Sequence, residues 1–241
     1  PPRCVCRAVH PDLRAAGEDG TVREVTLFYT ILNTVDNKQV TIPNTVTILG
    51  SYAFMECTNL KSVTLPATLA SIGTKAFSGC SSLEKVEGLD LSIDLGPYIF
   101  RGCSSLKEID FSSLGGTIPD MAFAEWPGLE SMVIPEGVTA IGGKAFENCN
   151  NLRSIAIPAT VKEIHGSAFS GCTSLTEVVI PDNVEDMGTN VFYNCTNLKK
   201  VSTPIVSKQM LLNCSQLEEV VLTKQLKVLQ LLRRLSKLFC R

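Results

Sequence analysis

Histidine is almost missing from this chain of 241 residues: there are two, His10 and His165. CxxC and HxxxH pairs do not occur, so the usual zinc-ligand spacing is absent and no metal site is expected. No apolar run approaches the roughly 18–20 residues that span a bilayer, so no transmembrane segment is expected. Nor is there an excess of positive charge. Lys and Arg number 22, Asp and Glu 24, and the net charge is −2, which argues against the basic stripe of a nucleic-acid binder. No Ser, Cys or carboxylate stands at a defined spacing from His165, so no catalytic constellation or cofactor motif can be named. The chain reads as non-enzymatic.

What the sequence has in quantity is repetition. Ile157-Pro158-Ala159-Thr160-Val161 through Phe169, Cys172, Leu175 and Val178 returns at Ile180-Pro181, Val184, Met187, Phe192, Cys195, Leu198 and Val201. It precedes itself at Ile134-Pro135, Val138, Ile141, Phe146, Cys149, Leu152 and Ile155. The cysteines Cys149, Cys172 and Cys195 stand 23 residues apart. A fixed period of this length marks a stacked repeat protein, in which each unit buries its apolar face only against its neighbours. The unit is LxxVx(I/L)PxxVxxIGxxAFxxC.

Within the unit, LxxVx(I/L) suits a short parallel strand on one face of the stack. Pro43, Pro66, Pro135, Pro158, Pro181 and Pro204 end that strand, because proline offers no N–H to a sheet. Gly50, Gly73, Gly96, Gly142 and Gly188 predict a turn residue with positive φ, and His165, in the same slot, is among the residues that tolerate it. The AFxxC piece is expected to turn back along the opposite face as a short helix or 3₁₀ turn.

Seven of the ten cysteines share one slot: Cys57, Cys80, Cys103, Cys149, Cys172, Cys195 and Cys214. Stacked repeats place like positions about 4.8 Å apart, within reach of a disulfide. Seven is odd, however, and the remaining occupant of the slot is Trp126, which cannot bridge. Unpaired thiols acting as compact apolar fillers are the expectation.

The repeat resembles the BspA-type leucine-rich repeat, found in many bacterial and some protist surface proteins. Residues 42–222 match it over about eight units, with strings such as IPATVKEIHGSAFSGCTSLTEVVIP. The resemblance implies a right-handed leucine-rich-repeat solenoid with its strands on the concave side. It also implies a role in binding proteins or host surfaces, and a cell-surface, periplasmic or secreted location. It supplies no catalytic residues. No signal peptide is visible, and the opening at Pro1 without Met is expected of a processed or truncated form.

The expected architecture is a single α/β to mostly-β solenoid. Residues 1–41 form an N-terminal arm and cap, with first strands near Val22, Val25 and Leu27 and a hairpin around 33–37. Residues 42–222 form the repeats. Those across 88–132 are expected to be irregular, since Leu89-Asp90 replaces Ile-Pro, Pro119 takes the glycine slot and Trp126-Pro127-Gly128 replaces the cysteine and its followers. The Cys195–Cys214 step is short, at 19 residues.

Residues 223–241 carry six Lys or Arg and no Asp or Glu, so the rest of the chain lies six below the whole, at −8. Leu226, Val228, Leu229, Leu231, Leu232, Leu235, Leu238 and Phe239 recur at helical spacing, which predicts a basic amphipathic C-terminal helix. Two readings are open: a cap on the last repeat, or a helix that lies on an acidic partner or a membrane surface.

The outward strand positions are where a ligand site can be argued. Val133, Ala156 and Val179 fall in one slot of consecutive units and predict an exposed apolar stripe. Glu84, Glu87, Glu108 and Asp110 form an acidic neighbour towards the N-terminus. An apolar patch rimmed by charge marks a binding site, although β-branched residues also favour strands for their own sake. The expected partner is a protein. A carrier for a small hydrophobic ligand, held near the irregular repeats or under the tail, is the alternative. No cofactor is expected.

Overall fold

The computed structural model describes residues 38–89, 93–107, 109 and 116–224. Residues 1–37 of the N-terminal arm and cap, with the predicted hairpin, and all but the first two residues of the basic tail lie outside them. The chain winds as a parallel-strand solenoid of about eight coils. Each coil has three walls: two short strands and a run of turns.

The first wall is built from β1 (Gln39–Thr41), β3 (Ser62–Thr64), β5 (Lys85–Glu87), β8 (Ser131–Val133), β10 (Ser154–Ala156), β12 (Glu177–Val179), β14 (Lys200–Thr203) and β15 (Glu219–Leu222). These strands fall on the LxxVx(I/L) segment. Their central residues Val40, Val63, Val86, Met132, Ile155, Val178 and Val201 point inward and are buried. Pairing is parallel, with like residues of adjacent units opposite one another, as in Val40↔Val63 and Val63↔Val86. β1 therefore already belongs to the stack, three residues before the sequence boundary at 42. Proline follows the strand as expected and starts a turn: Val46 donates to the Pro43 carbonyl at 3.0 Å, and Leu69 to that of Pro66 at 3.0 Å.

The sequence reading missed the second wall. It consists of β2 (Ile48–Leu49), β4 (Ser71–Ile72), β6 (Asp94–Leu95), β7 (Gly116–Ile118), β9 (Val138–Ile141), β11 (Glu163–Ile164) and β13 (Asp186–Met187). These strands form parallel ladders β2-β4-β6 and β7-β9-β11-β13. The PxxVxxI spacing carries the same signature as LxxV, two inward residues three apart, and would have revealed them.

The third wall is not helical, contrary to the expectation for AFxxC. It is a chain of overlapping turns whose N–H groups alternate in direction. In one coil Ala145 donates to Gly142, Glu147 to Lys144 and Cys149 to Phe146, at 3.3, 3.0 and 3.2 Å. Between them Lys144 donates to Gly166, Phe146 to Ala168 and Asn148 to Ser170 in the next coil, at 3.0, 2.8 and 2.8 Å. A helix would satisfy these donors within one segment. The alternation spreads them over two coils and leaves none unpaired.

This geometry needs a left-handed backbone twice per coil. The first position is filled by Tyr52, Lys75, Tyr98, Met121, Lys144, Ser167, Asn190 and Gln209. The second is filled by Glu56, Gly79, Gly102, Glu125, Asn148, Gly171, Asn194 and Asn213. Gly50, Gly73, Gly96, Gly142, Gly188 and His165 have no positive φ, so the sequence reading of that slot is corrected. At Gly73, Gly96, Gly142 and Gly188 glycine serves another purpose, although the slot also admits His165, Pro119 and Ser207. A Cβ on Gly142 would stand 2.6 Å from the Ile118 carbonyl oxygen and 2.7 Å from the Asp120 nitrogen. The slot holds glycine so that adjacent coils can approach closely.

Inside, the phenylalanines stack in a column from Phe54 to Phe192, with successive ring centroids 5.2, 5.9, 6.3, 5.5, 5.3 and 5.5 Å apart. The widest step, Phe100–Phe123, lies beside Trp126, whose ring sits 5.3 Å from Phe100 and 6.0 Å from Phe123. Its indole N–H donates to the Leu106 carbonyl at 3.0 Å. The column and the turn wall run unbroken through this region, where Tyr98 donates to Met121 and Gly102 to Glu125. Among the described residues, by contrast, no strand pairing joins β5 to β8 or β6 to β7.

The slot cysteines are free, buried thiols. Six of the seven donate across one coil to a phenylalanine carbonyl: Cys80 to Phe54, Cys103 to Phe77, Cys149 to Phe123, Cys172 to Phe146, Cys195 to Phe169 and Cys214 to Phe192, at 2.9–3.3 Å. Burial pushes Cys103, Cys149 and Cys195 up to about 12, and raises Cys172 and Cys214 as well.

Candidate functional site

The first wall presents outward whatever its three-residue strands place on either side of the buried central residue. β8 reads exposed–buried–exposed and so do β10 and β12, so alternation alone puts Val133, Ala156 and Val179 in solvent. Val133 is 74% exposed and Val179 55%, among the most exposed large apolar side chains of the described residues. Val133 and Ala156 are register partners in one ladder. Val179 belongs to the next ladder, where it aligns with Ser202 and Val221. The fold thus brings Val133 and Ala156 side by side, with Val179 one coil further on across a gap in strand pairing. Among the described residues β10 and β12 share no ladder bond.

Serines lie beside this stripe. Ser131 and Ser154 hold the other outward positions of β8 and β10 and are also exposed and register-paired. Together with Val133 and Ala156 they make a flat, uncharged patch of small side chains. Glu130 borders it, held between Lys107 at 2.6 Å and Arg153 at 3.9 Å. The bond from Lys107 holds the Glu130 carboxyl below its ordinary value.

The acidic neighbour is less bare than its composition suggests. Glu84 pairs with Lys61 at 3.0 Å. Glu87 pairs with Lys85 and accepts from the Thr64 hydroxyl at 3.0 Å, and the Lys85 bond, then the Thr64 bond, holds its carboxyl below the ordinary value. Glu108 and Asp110 lie outside the described residues. The two acids that can be placed are already matched by cations, so this flank is a salt-bridged surface and not a free negative patch.

Among the described residues, no cluster of His, Cys, Asp and Glu could hold a metal ion. His165 sits on the second wall with its Nε2 3.2 Å from a Glu163 oxygen and is exposed. The interior at the irregular units is filled by Trp126 and the rings of Phe100 and Phe123, all fully buried. No helix of the described residues is long and apolar enough to cross a membrane.

The family model for the BspA type leucine rich repeat region matches residues 27–151 and 116–231, in six copies. The chain belongs to this BspA-type family. A leucine-rich repeat protein from Bacteroides ovatus is 26% identical, with a TM-score of 0.50, over 78% of this chain and 64% of its own length. The chain thus spans just under two thirds of that relative. A leucine-rich cell surface protein from Faecalibacterium prausnitzii is 22% identical, with a TM-score of 0.43, over 76% of this chain and 78% of its own. The pneumococcal vaccine antigen PcpA is 20% identical, with a TM-score of 0.42, over 76% of this chain and 67% of its own. No curated protein matches. Membership of the BspA-type family points to a protein-interaction or surface-binding module, and these solved relatives are bacterial.

Proposed function

We propose that this chain is a non-enzymatic protein-binding module that docks its partner on the first wall, over Val133, Ala156 and Val179, and that it serves attachment to a cell-surface or host component. The observation that carries the reading is the exposure of Val133 and Val179 on a wall that elsewhere carries charged pairs such as Lys61–Glu84 and Lys200–Glu219. Surface apolar side chains flanked by uncharged serines desolvate at little cost, whereas an interlaced salt-bridge surface does not. The patch is small. It sets where binding is centred, and the rim pairs set its orientation.

The test is capture of extracellular host proteins by the full chain and by a Val133→Asp/Val179→Asp variant. Both side chains are exposed, so the melting temperature should hold. Loss of the captured protein in the variant supports the reading, and undiminished capture places the site elsewhere.

A further inference from the structure

The last coil is four residues shorter than the others, and the structure shows what was removed. After β14 the chain runs Pro204-Ile205-Val206-Ser207 where the preceding unit carries Pro181 through Gly188, including β13. Ser207 takes the glycine slot, and its hydroxyl donates to the Gly188 carbonyl. The first wall therefore continues to β15, while among the described residues the second wall stops at β13, one coil earlier. The end of the stack is stepped.

Three features of the step point to one occupant. First, it is apolar at its rim, since Val206 is 58% exposed. Second, it is acidic. The unit from 173 to 195 holds Glu177, Asp182, Glu185 and Asp186 and no Lys or Arg, and Glu185 and Asp186 are both exposed on the second wall. The cation paired with Glu185 is Lys162 from the coil before, at 3.8 Å, which leaves a cation-poor surface. Third, the chain is delivered to this spot. After β15 the Thr223 hydroxyl donates to the Asp182 carboxylate, so the chain leaves the last strand beside the acids. The 17 residues that follow, 225–241, hold five Lys or Arg, no Asp or Glu, and eight Leu, Val or Phe.

We propose that residues 225–241 dock on this step, with their apolar side chains over Val206 and the edge of β13 that no described strand pairs, and their cations against Glu185 and Asp186. The segment supplies the wall that the short coil omits, and it covers a strand edge that would otherwise recruit other chains. The charge match fixes where it lies: opposite charges at an interface set register and exclude wrong partners.

Zero-length carbodiimide coupling on the full chain, prepared as an equal mixture of light and 15N-labelled protein, tests this. Lys227 or Lys237 should couple to Glu185 or Asp186 within isotopically pure species. Two variants should lose those cross-links while keeping the far-ultraviolet circular dichroism of the parent. One is Arg233→Glu/Arg234→Glu, which leaves the reporting lysines intact. The other is Val206→Asp, at an exposed position. Mixed-isotope cross-linked pairs in the proportion that random pairing gives would place the segment on a second copy and overturn the proposal. So would coupling of these lysines to acids outside the 173–195 unit, or cross-links that survive both variants.

Discussion

The thiol of Cys172 donates to the backbone carbonyl of Phe146 at 3.3 Å, one coil back, and that carbonyl already accepts the N–H of Cys149 at 3.2 Å. A single oxygen thus ties its own turn to the coil that follows. Apolar filling is only part of what this slot requires. Its occupant must tolerate full burial and still donate, as the thiols do and as the Trp126 indole does to Leu106, which alanine and valine cannot do. Replacing Cys172 with Ala should cost roughly 1–3 kcal/mol, from the lost bond and the small void, as read from urea melts.

The same burial sets a pH dependence. The neutral thiol is favoured in the folded chain, where Cys103, Cys149 and Cys195 are pushed up to about 12, well above the ordinary thiol value expected in the unfolded chain. Below about pH 9 the thiols are protonated in both states, and their contribution is fully present. Above it the unfolded chain releases protons that the folded chain retains, so stability falls until the folded value is passed. Each thiol should add a slope of about 1.4 kcal/mol per pH unit within that window. Urea midpoints from pH 8 to 11 should show the decline, and Cys149→Ala should make it shallower. Alkylation by iodoacetamide at pH 8 should reach these cysteines only on unfolding.

Phe146 touches a ring on each side, with centroids 5.5 Å from Phe123 and 5.3 Å from Phe169. Phe146→Ala should destabilise by roughly 3–5 kcal/mol, since neither neighbouring coil can move inward without breaking its turn-wall bonds. Calorimetry at neutral pH would measure it, and a loss below 1 kcal/mol would mean that the column relaxes.

Two glycines separate close approach from ordinary packing. Gly142→Ala drives a methyl to 2.6 Å from a backbone oxygen and should cost about 1–3 kcal/mol. Gly166→Ala meets nothing nearer than 3.4 Å and should lie within about 0.5 kcal/mol of the parent. Equal melting temperatures for the two variants would refute the close-approach account.

Much of this architecture is legible in the residues, because each coil contacts only its neighbours and must repeat its inward side chains. The Phe, Cys and Leu slots and the first wall follow from that. The turn wall does not. Its left-handed positions are occupied by Tyr52, Lys75 and Met121 as readily as by Asn148, because cross-coil hydrogen bonds enforce a conformation these side chains do not prefer. The second wall hid behind strands mostly of two residues, too short for period two to show, and only the PxxVxxI spacing marks it. At the candidate site, alternation announced that Val133 and Val179 point outward. The pairing of Glu84 and Glu87 with lysines was not readable, because it depends on where long side chains reach, across coils for Lys61–Glu84 and along one strand for Lys85–Glu87.

The alternating N–H directions of the turn wall carry a consequence for how such a chain changes length. In the regular units the ring, thiol and second-strand contacts recur one period later, so a duplicated block of 23 codons taken between Ile134 and Cys195 arrives with its ring, thiol and both strands already in phase. Copying the 19-residue unit instead delivers a coil without a second strand and leaves a gap in that wall. Insertions and losses of whole periods are therefore the neutral currency of variation in this molecule, and fractional ones are disruptive.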